Sequence, residues 1–152
     1  MRNSIAKADS HSWLVPPSLY QMLDKEFHFD FDPCPYKENK ADVIDGIGIE
    51  WGSRNWVNPP FRALDAVNKH GPTAFARKAI EQQKEGKLSV LILPTMGYIN
   101  LLLEAGAEMR SVGRVPWVNG KNKLIKFSPS NCTLFILKPN LSSPQKQREV
   151  NE

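Results

Sequence analysis

The residues best fitted to a chemical task are Asn58-Pro59-Pro60-Phe61, which close the run Arg54 to Val57. Two prolines in succession can neither continue a strand's hydrogen bonding nor enter a helix interior. Pro59 also keeps Asn58 out of the helical region. A short strand ending here must therefore leave its sheet as a stiff, extended lip. On that lip the Asn58 side-chain carbonyl, the Pro59 backbone carbonyl and the Phe61 ring stand in fixed relation. The arrangement suits a planar group carrying an exocyclic amine: its two N–H groups donate to Asn58 and to the backbone carbonyl, and its ring stacks on Phe61. Drawn towards tetrahedral geometry, the amine nitrogen exposes a lone pair and becomes a nucleophile. The competing reading is a proline-rich turn after an edge strand.

A second lip is Asp32-Pro33-Cys34-Pro35, after a run (Phe27 to Asp32) whose apolar and polar residues alternate and predict a strand. In open α/β sheets ligands sit beyond the carboxyl ends of the strands, and two parallel neighbours would bring both lips to one rim. Asp32 either accepts hydrogen bonds from a ligand or shapes the turn; Asp30 alternates towards solvent. Cys34 has no base beside it in sequence and reads as packing. His11, His28 and His70 share no ligand spacing with the cysteines, so no metal site is expected. Gly46-Ile47-Gly48 opens no helix and reads as loop glycine, not as a phosphate cradle.

The elements that must position these lips follow from periodicity. Residues 1–10 read as a flexible arm, 13–17 as an extended segment, and 17–23 as a helix with Pro17 in its first turn. Residues 36–50 are mostly loop. A helix is predicted over 72–85 with Gly86 as its stop, and a strand buried on both faces over 88–93. A helix over 99–105 and strands over 108–112 and 131–137 follow. The tail from 139 to 152 reads as disordered. The sum is one α/β domain over 11–138, with helices flanking a sheet.

Composition narrows the class. The chain has 152 residues, 41% hydrophobic and 24% charged, which suits a single globular domain with a real core. No apolar run is long enough to span a membrane, and the polar first ten residues lack a signal-peptide core. A cytoplasmic location is expected, with Cys34 and Cys132 as free thiols. The net charge of +4 permits a polyanionic partner without requiring one.

Taken in order, the landmarks resemble the phage-type DNA N6-adenine methyltransferases. They are Trp13-x-x-Pro16, Phe29-Asp30-Phe31-Asp32-Pro33-Cys34, Trp51 ahead of Trp56-Val57-Asn58-Pro59-Pro60-Phe61, Lys78-Ala79, Leu91-Ile92-Leu93-Pro94, Gly113-Arg114-Val115 and Ser128-Pro129. They span about residues 13–137. The resemblance implies a compact, Rossmann-like class I methyltransferase sheet, S-adenosylmethionine as cofactor, and adenine N6 in DNA as acceptor. It assigns the amino group to Asn58 and Pro59, within the catalytic run that also holds Pro60, and base stacking to Phe61. Trp13, Pro16, Asp32, Pro33 and Cys34 would line the cofactor pocket, Asp32 towards the ribose or the amino-acid part.

Transfer would be a direct in-line displacement, needing positioning and polarisation of the amine but no metal. A base inside duplex DNA would have to be flipped out to reach the pocket. Phosphate contacts would come from Arg62, Lys69, Arg114, Lys121 and Lys123, for each of which a solvated charged face is the alternative. Trp51 and Trp117 read as core or rim packing. The sequence departs from the family pattern at Val15, where Thr is frequent, and at Thr95-Met96-Gly97-Tyr98-Ile99-Asn100, where Trp is common. Other planar amines (cytosine N4, an RNA base, a protein glutamine amide) fit the same scaffold, as does a degenerate member that binds without turnover.

Overall fold

In the computed structural model, which describes residues 13–61, 70–94, 97–127 and 132–139, the chain runs as follows. Helix α1 (Pro17–Phe27) and a 3-10 turn (Lys40–Asp42) precede β1 (Arg54–Val57), α2 (Pro72–Lys84), β2 (Leu88–Pro94) and α3 (Ile99–Glu104). Strands β3 (Glu108–Gly113), β4 (Pro116–Val118), β5 (Leu124–Phe127) and β6 (Cys132–Leu137) complete it. The expected arm over 1–10 and nearly all of the expected tail lie outside the described residues.

The result is a mixed α/β fold built on a four-stranded sheet of order β1-β2-β6-β3. Strand β1 runs parallel to β2, with Trp56 opposite Val90, whereas β6 is antiparallel to both β2 and β3. The centre is β2, whose Leu88, Val90, Leu91, Ile92 and Leu93 are all buried, as a nearly uninterrupted apolar run requires. Side chains alternate across it. Val90 and Ile92 join Trp56, Leu134 and Ile136 under Leu23 and Phe27 of α1, with Val115 and Trp117. Leu91 and Leu93 join Val57, Phe135 and Leu137 under Phe75, Ala76 and Ala79 of α2 and Leu102 of α3. Each such aliphatic side chain stabilises the fold by roughly 1.5–3 kcal/mol on burial, so both faces hold the sheet rigid beneath the lips.

The helix over 72–85 is borne out, and Gly86 ends it in the left-handed region at φ 86°. The strand expected over 27–32 is not. Helix α1 continues to Phe27, four residues past the expected end, and His28 caps it in the left-handed region (φ 52°, ψ 64°), its N–H donating to Asp24 O at 2.7 Å. Beyond it the backbone is irregular: Phe29 packs on the α1 face of the sheet and Phe31 on the opposite face, which two residues of one regular strand could not do. One parallel bridge remains, Phe31 to Asn55, with Trp56 N–H donating to Phe31 O at 3.0 Å.

The hairpin β4–β5 was not foreseen. Its turn is closed by Asn119, whose Oδ1 accepts the N–H groups of Lys121 and Lys123 at 2.9 and 3.1 Å. Asn122 adopts φ 60°. Leu14 pairs with Val118 through two 2.9 Å hydrogen bonds, so the extended N-terminal segment lies along the hairpin. Among the described residues no helix is long and apolar enough to cross a membrane, and Cys34 and Cys132 are free thiols.

Candidate active site

Strand β1 delivers the first lip. Pro59 and Pro60 are buried and Asn58 and Phe61 half-buried at the carboxyl end of the strand. The Asn58 amide nitrogen donates to the backbone carbonyl of Trp13 at 2.9 Å. A carbonyl only accepts, so this contact must be made by Nδ2, and Oδ1 is turned to the other side as an acceptor. The sequence-derived role of Asn58 needs that orientation. Phe61 packs perpendicular to Trp13 (centroids 6.0 Å, 89°) and to Trp117 (5.2 Å, 74°). Trp13 and Trp117 lie 5.9 Å apart. Neither contact to Phe61 is the parallel stack that a base would make.

The second lip leaves beside the first. Because Phe31 bridges Asn55 in parallel, Asp32-Pro33-Cys34 and Val57-Asn58-Pro59 run off neighbouring segments in one direction. Asp32 accepts the Cys34 N–H at 2.8 Å, a turn that aims the carboxyl back over the chain. Burial pushes its pKa up from 3.8 to about 6, against the opposing pull of the Cys34 hydrogen bond. The Cys34 thiol is pushed well above its ordinary value by burial, and further by the nearby Asp32 carboxylate. That leaves it protonated at neutral pH, a packing residue and not a nucleophile. Pro33 is buried, with its carbonyl over Gly46. Pro16 caps α1, its carbonyl accepting the N–H groups of Leu19 and Tyr20 at 3.0 and 3.2 Å.

The Asp32 result carries a pH dependence. A carboxyl with a raised folded pKa contributes stability that is complete below its unfolded value and is lost as the pH climbs through about 6. Holding it ionised at pH 8 costs on the order of 3 kcal/mol. Asp32→Asn keeps the acceptor for Cys34 and is expected to raise the melting temperature at pH 8 while leaving it unchanged at pH 4. Melting curves at the two pH values check this; an equal shift at both would refute the buried-carboxyl account.

Of the expected phosphate contacts, Arg114, Lys121 and Lys123 are exposed, the two lysines at the hairpin turn, while Arg62 and Lys69 lie outside the described residues. Asp30 is solvent-facing as expected, though its Oδ1 also accepts the Arg54 N–H at 2.9 Å. Of the two departures from the family pattern, Val15 and Tyr98 turn inward, Gly97 is exposed, and Thr95 and Met96 lie outside the described residues. Val15 is in the core, and Tyr98 is buried with its hydroxyl donating to Pro94 O at 2.5 Å.

Sequence reasoning missed Tyr20, whose ring packs on Phe29 and Trp56 at 5.9 and 5.8 Å. Burial first, then the Asp24 and Asp32 carboxylates, push its phenol up. It also missed Gly46, where a Cβ would sit 2.1 Å from the Pro33 carbonyl oxygen. No local pattern marks a glycine of this kind, because its partner lies thirteen positions away.

The Asn58 amide, two prolines and the Phe61 ring thus lie at the end of β1, with the Asp32 turn on the neighbouring segment. The family model described as DNA N-6-adenine-methyltransferase (Dam) matches residues 2–151. The chain belongs to this family. Its reaction is methylation of the N6 amine of adenine in DNA, which settles the acceptor among the planar amines that the motif alone left open. No curated protein and no solved structure matches the chain. In a Dam-family enzyme the substrate is DNA, and the exposed Arg114, Lys121 and Lys123 accord with a polyanionic partner.

Proposed function

We propose that S-adenosylmethionine is the methyl donor and that adenine N6 is held by Asn58-Pro59-Pro60-Phe61. The observation that carries this reading is the 2.9 Å bond from Asn58 Nδ2 to Trp13 O, which commits Oδ1 to accepting. S-adenosylmethionine, when bound, supplies a methyl group on a cationic sulfur. The residues near Asp32 fit such a group: a buried carboxyl suits the ribose hydroxyls or the ammonium of its amino-acid part, and burial strengthens either contact. Pro33 and Cys34 form the wall behind Asp32, with Trp13 and Pro16 on the N-terminal segment above the rim.

Asn58 Oδ1 and the Pro59 carbonyl take the two N–H groups of the amine and concentrate its lone pair away from the ring. Phe61 stacks on the base. The amine nitrogen itself would attack the methyl carbon as the carbon–sulfur bond breaks, so no protein nucleophile is needed, and the proton it then sheds passes to solvent. An adenine within a duplex is flipped out to reach the rim, while Arg114, Lys121 and Lys123, with Arg62 and Lys69 close behind the lip in sequence, hold phosphates. The parallel pair β1–β2 followed by an antiparallel β6 supports reading the sheet as a compact class I, Rossmann-like methyltransferase core. The enzyme would meet its DNA in the cytoplasm.

The test is transfer of labelled methyl from S-adenosylmethionine to unmethylated DNA, followed by nucleoside analysis. Label in N6-methyladenine alone is expected. Label in cytosine, or none with S-adenosylmethionine as donor, would reject the proposal.

A further inference from the structure

We propose that Trp117 is a positioning residue for the base-binding rim, acting through Phe61 and through the segment that orients Asn58. The inference rests on the roles given to Phe61 and Asn58 above. Trp117 is fully buried on β4, far from the lip in sequence, yet its ring is 5.2 Å from Phe61 and 5.9 Å from Trp13. Its neighbour Val118 exchanges two 2.9 Å hydrogen bonds with Leu14. Leu14 follows Trp13, whose carbonyl receives Asn58 Nδ2. The hairpin thus supports both halves of the constellation, the stacking ring by aromatic contact and the acceptor amide by backbone pairing.

The same hairpin carries exposed Lys121 and Lys123 at its turn. Its Gly120 lies against Tyr36, where a Cβ would come within 2.8 Å of the ring. A perpendicular aromatic pair has a preferred geometry as well as buried area. A smaller apolar residue at this site would leave a cavity beside Phe61 and release the ring from its angle. Misplacement of a reacting group by about 1 Å can cost on the order of a hundredfold in rate.

The experiment measures kcat and KM for DNA in Trp117→Phe, Trp117→Leu, Phe61→Ala and the double variant Trp117→Leu/Phe61→Ala. Trp117→Leu is expected to lower kcat about tenfold or more, Trp117→Phe less, with affinity for S-adenosylmethionine held within about twofold. In the Phe61→Ala background, Trp117→Leu should lower kcat much less than it does in the unsubstituted chain, because the ring it positions is already gone and only the route through Trp13 remains. Equal losses in both backgrounds, or wild-type kcat in a folded Trp117→Leu protein, would overturn the proposal. Full kcat in Phe61→Ala alone would overturn the stacking role itself, and this inference with it. Should the leucine variant not fold, fluorine spectra of the 5-fluorotryptophan-labelled, unsubstituted chain decide. The Trp117 signal should move on binding adenine-containing DNA, and a signal unmoved at saturating DNA counts against the role.

Discussion

Asn58→Ala is expected to lower kcat for adenine methylation by about 10²–10³-fold, the usual cost of removing one group aimed at charge that develops in the transition state. Affinity for S-adenosylmethionine should fall far less, because Asp32 and its turn lie on the neighbouring segment and only the Trp13 side of the proposed pocket is loosened. The substitution removes two functions together: the acceptor for the amine, and the 2.9 Å donor bond to Trp13 O. Asn58→Asp separates them. A carboxylate keeps the acceptor but cannot donate to the Trp13 carbonyl, and two acceptors then face each other. We expect it to lose about tenfold or more. Single-turnover methylation with bound cofactor measures both variants. If Asn58→Ala turns over like the unsubstituted enzyme, the lip is not the amine site.

Gly46→Ala carries the largest expected loss of stability. The added Cβ would lie 2.1 Å from Pro33 O and 3.1 Å from Phe75 Cε1. A backbone carbonyl cannot swing aside as a flexible side chain would, so either the loop or the Asp32–Cys34 lip must move. The Gly46 carbonyl also accepts the buried Trp51 indole N–H at 2.7 Å, and displacing it would leave that donor unpaired. Overpacking with a lost buried hydrogen bond should cost about 3 kcal/mol or more, a fall in melting temperature of roughly 10 °C. The folded remainder should bind S-adenosylmethionine at least tenfold more weakly. A thermal melt and a calorimetric titration suffice; a variant matching the unsubstituted protein in both would mean that the loop does not brace the lip.

These two sites differ in how far the sequence announced them. The Asn58 lip was legible because its constraint is local: two prolines after a short apolar run dictate where the backbone goes. Strand β2 and helix α2 with Gly86 were legible for the same reason, since burial and helix termination leave their marks within a dozen residues. The run from Phe27 to Asp32 misled because a helix's last turn and an irregular crossing produced an apolar–polar alternation by coincidence. Phe27 closes α1, and Phe29 and Phe31 serve opposite faces of the sheet. The hairpin had a signal that was passed over: Asn119-Gly120 between Pro116-Trp117-Val118 and Leu124-Ile125 is turn chemistry flanked by apolar residues. Gly46 and Trp117 had none, since each acts on a partner that only the folded chain brings near.

The position of β6 between β2 and β3 bears on how the protein emerges from the ribosome. Among the described residues the strand latest in sequence, β6, is an interior one. Until residues 132–137 leave the exit tunnel, β2 has an open edge on that side and β3 has no partner in the sheet. The nascent chain at that stage carries the Asn58 lip while lacking the closed sheet beneath it. Joining the two halves of the sheet therefore requires one apolar strand that pairs with both β2 and β3, and it cannot precede the release of residues 132–137.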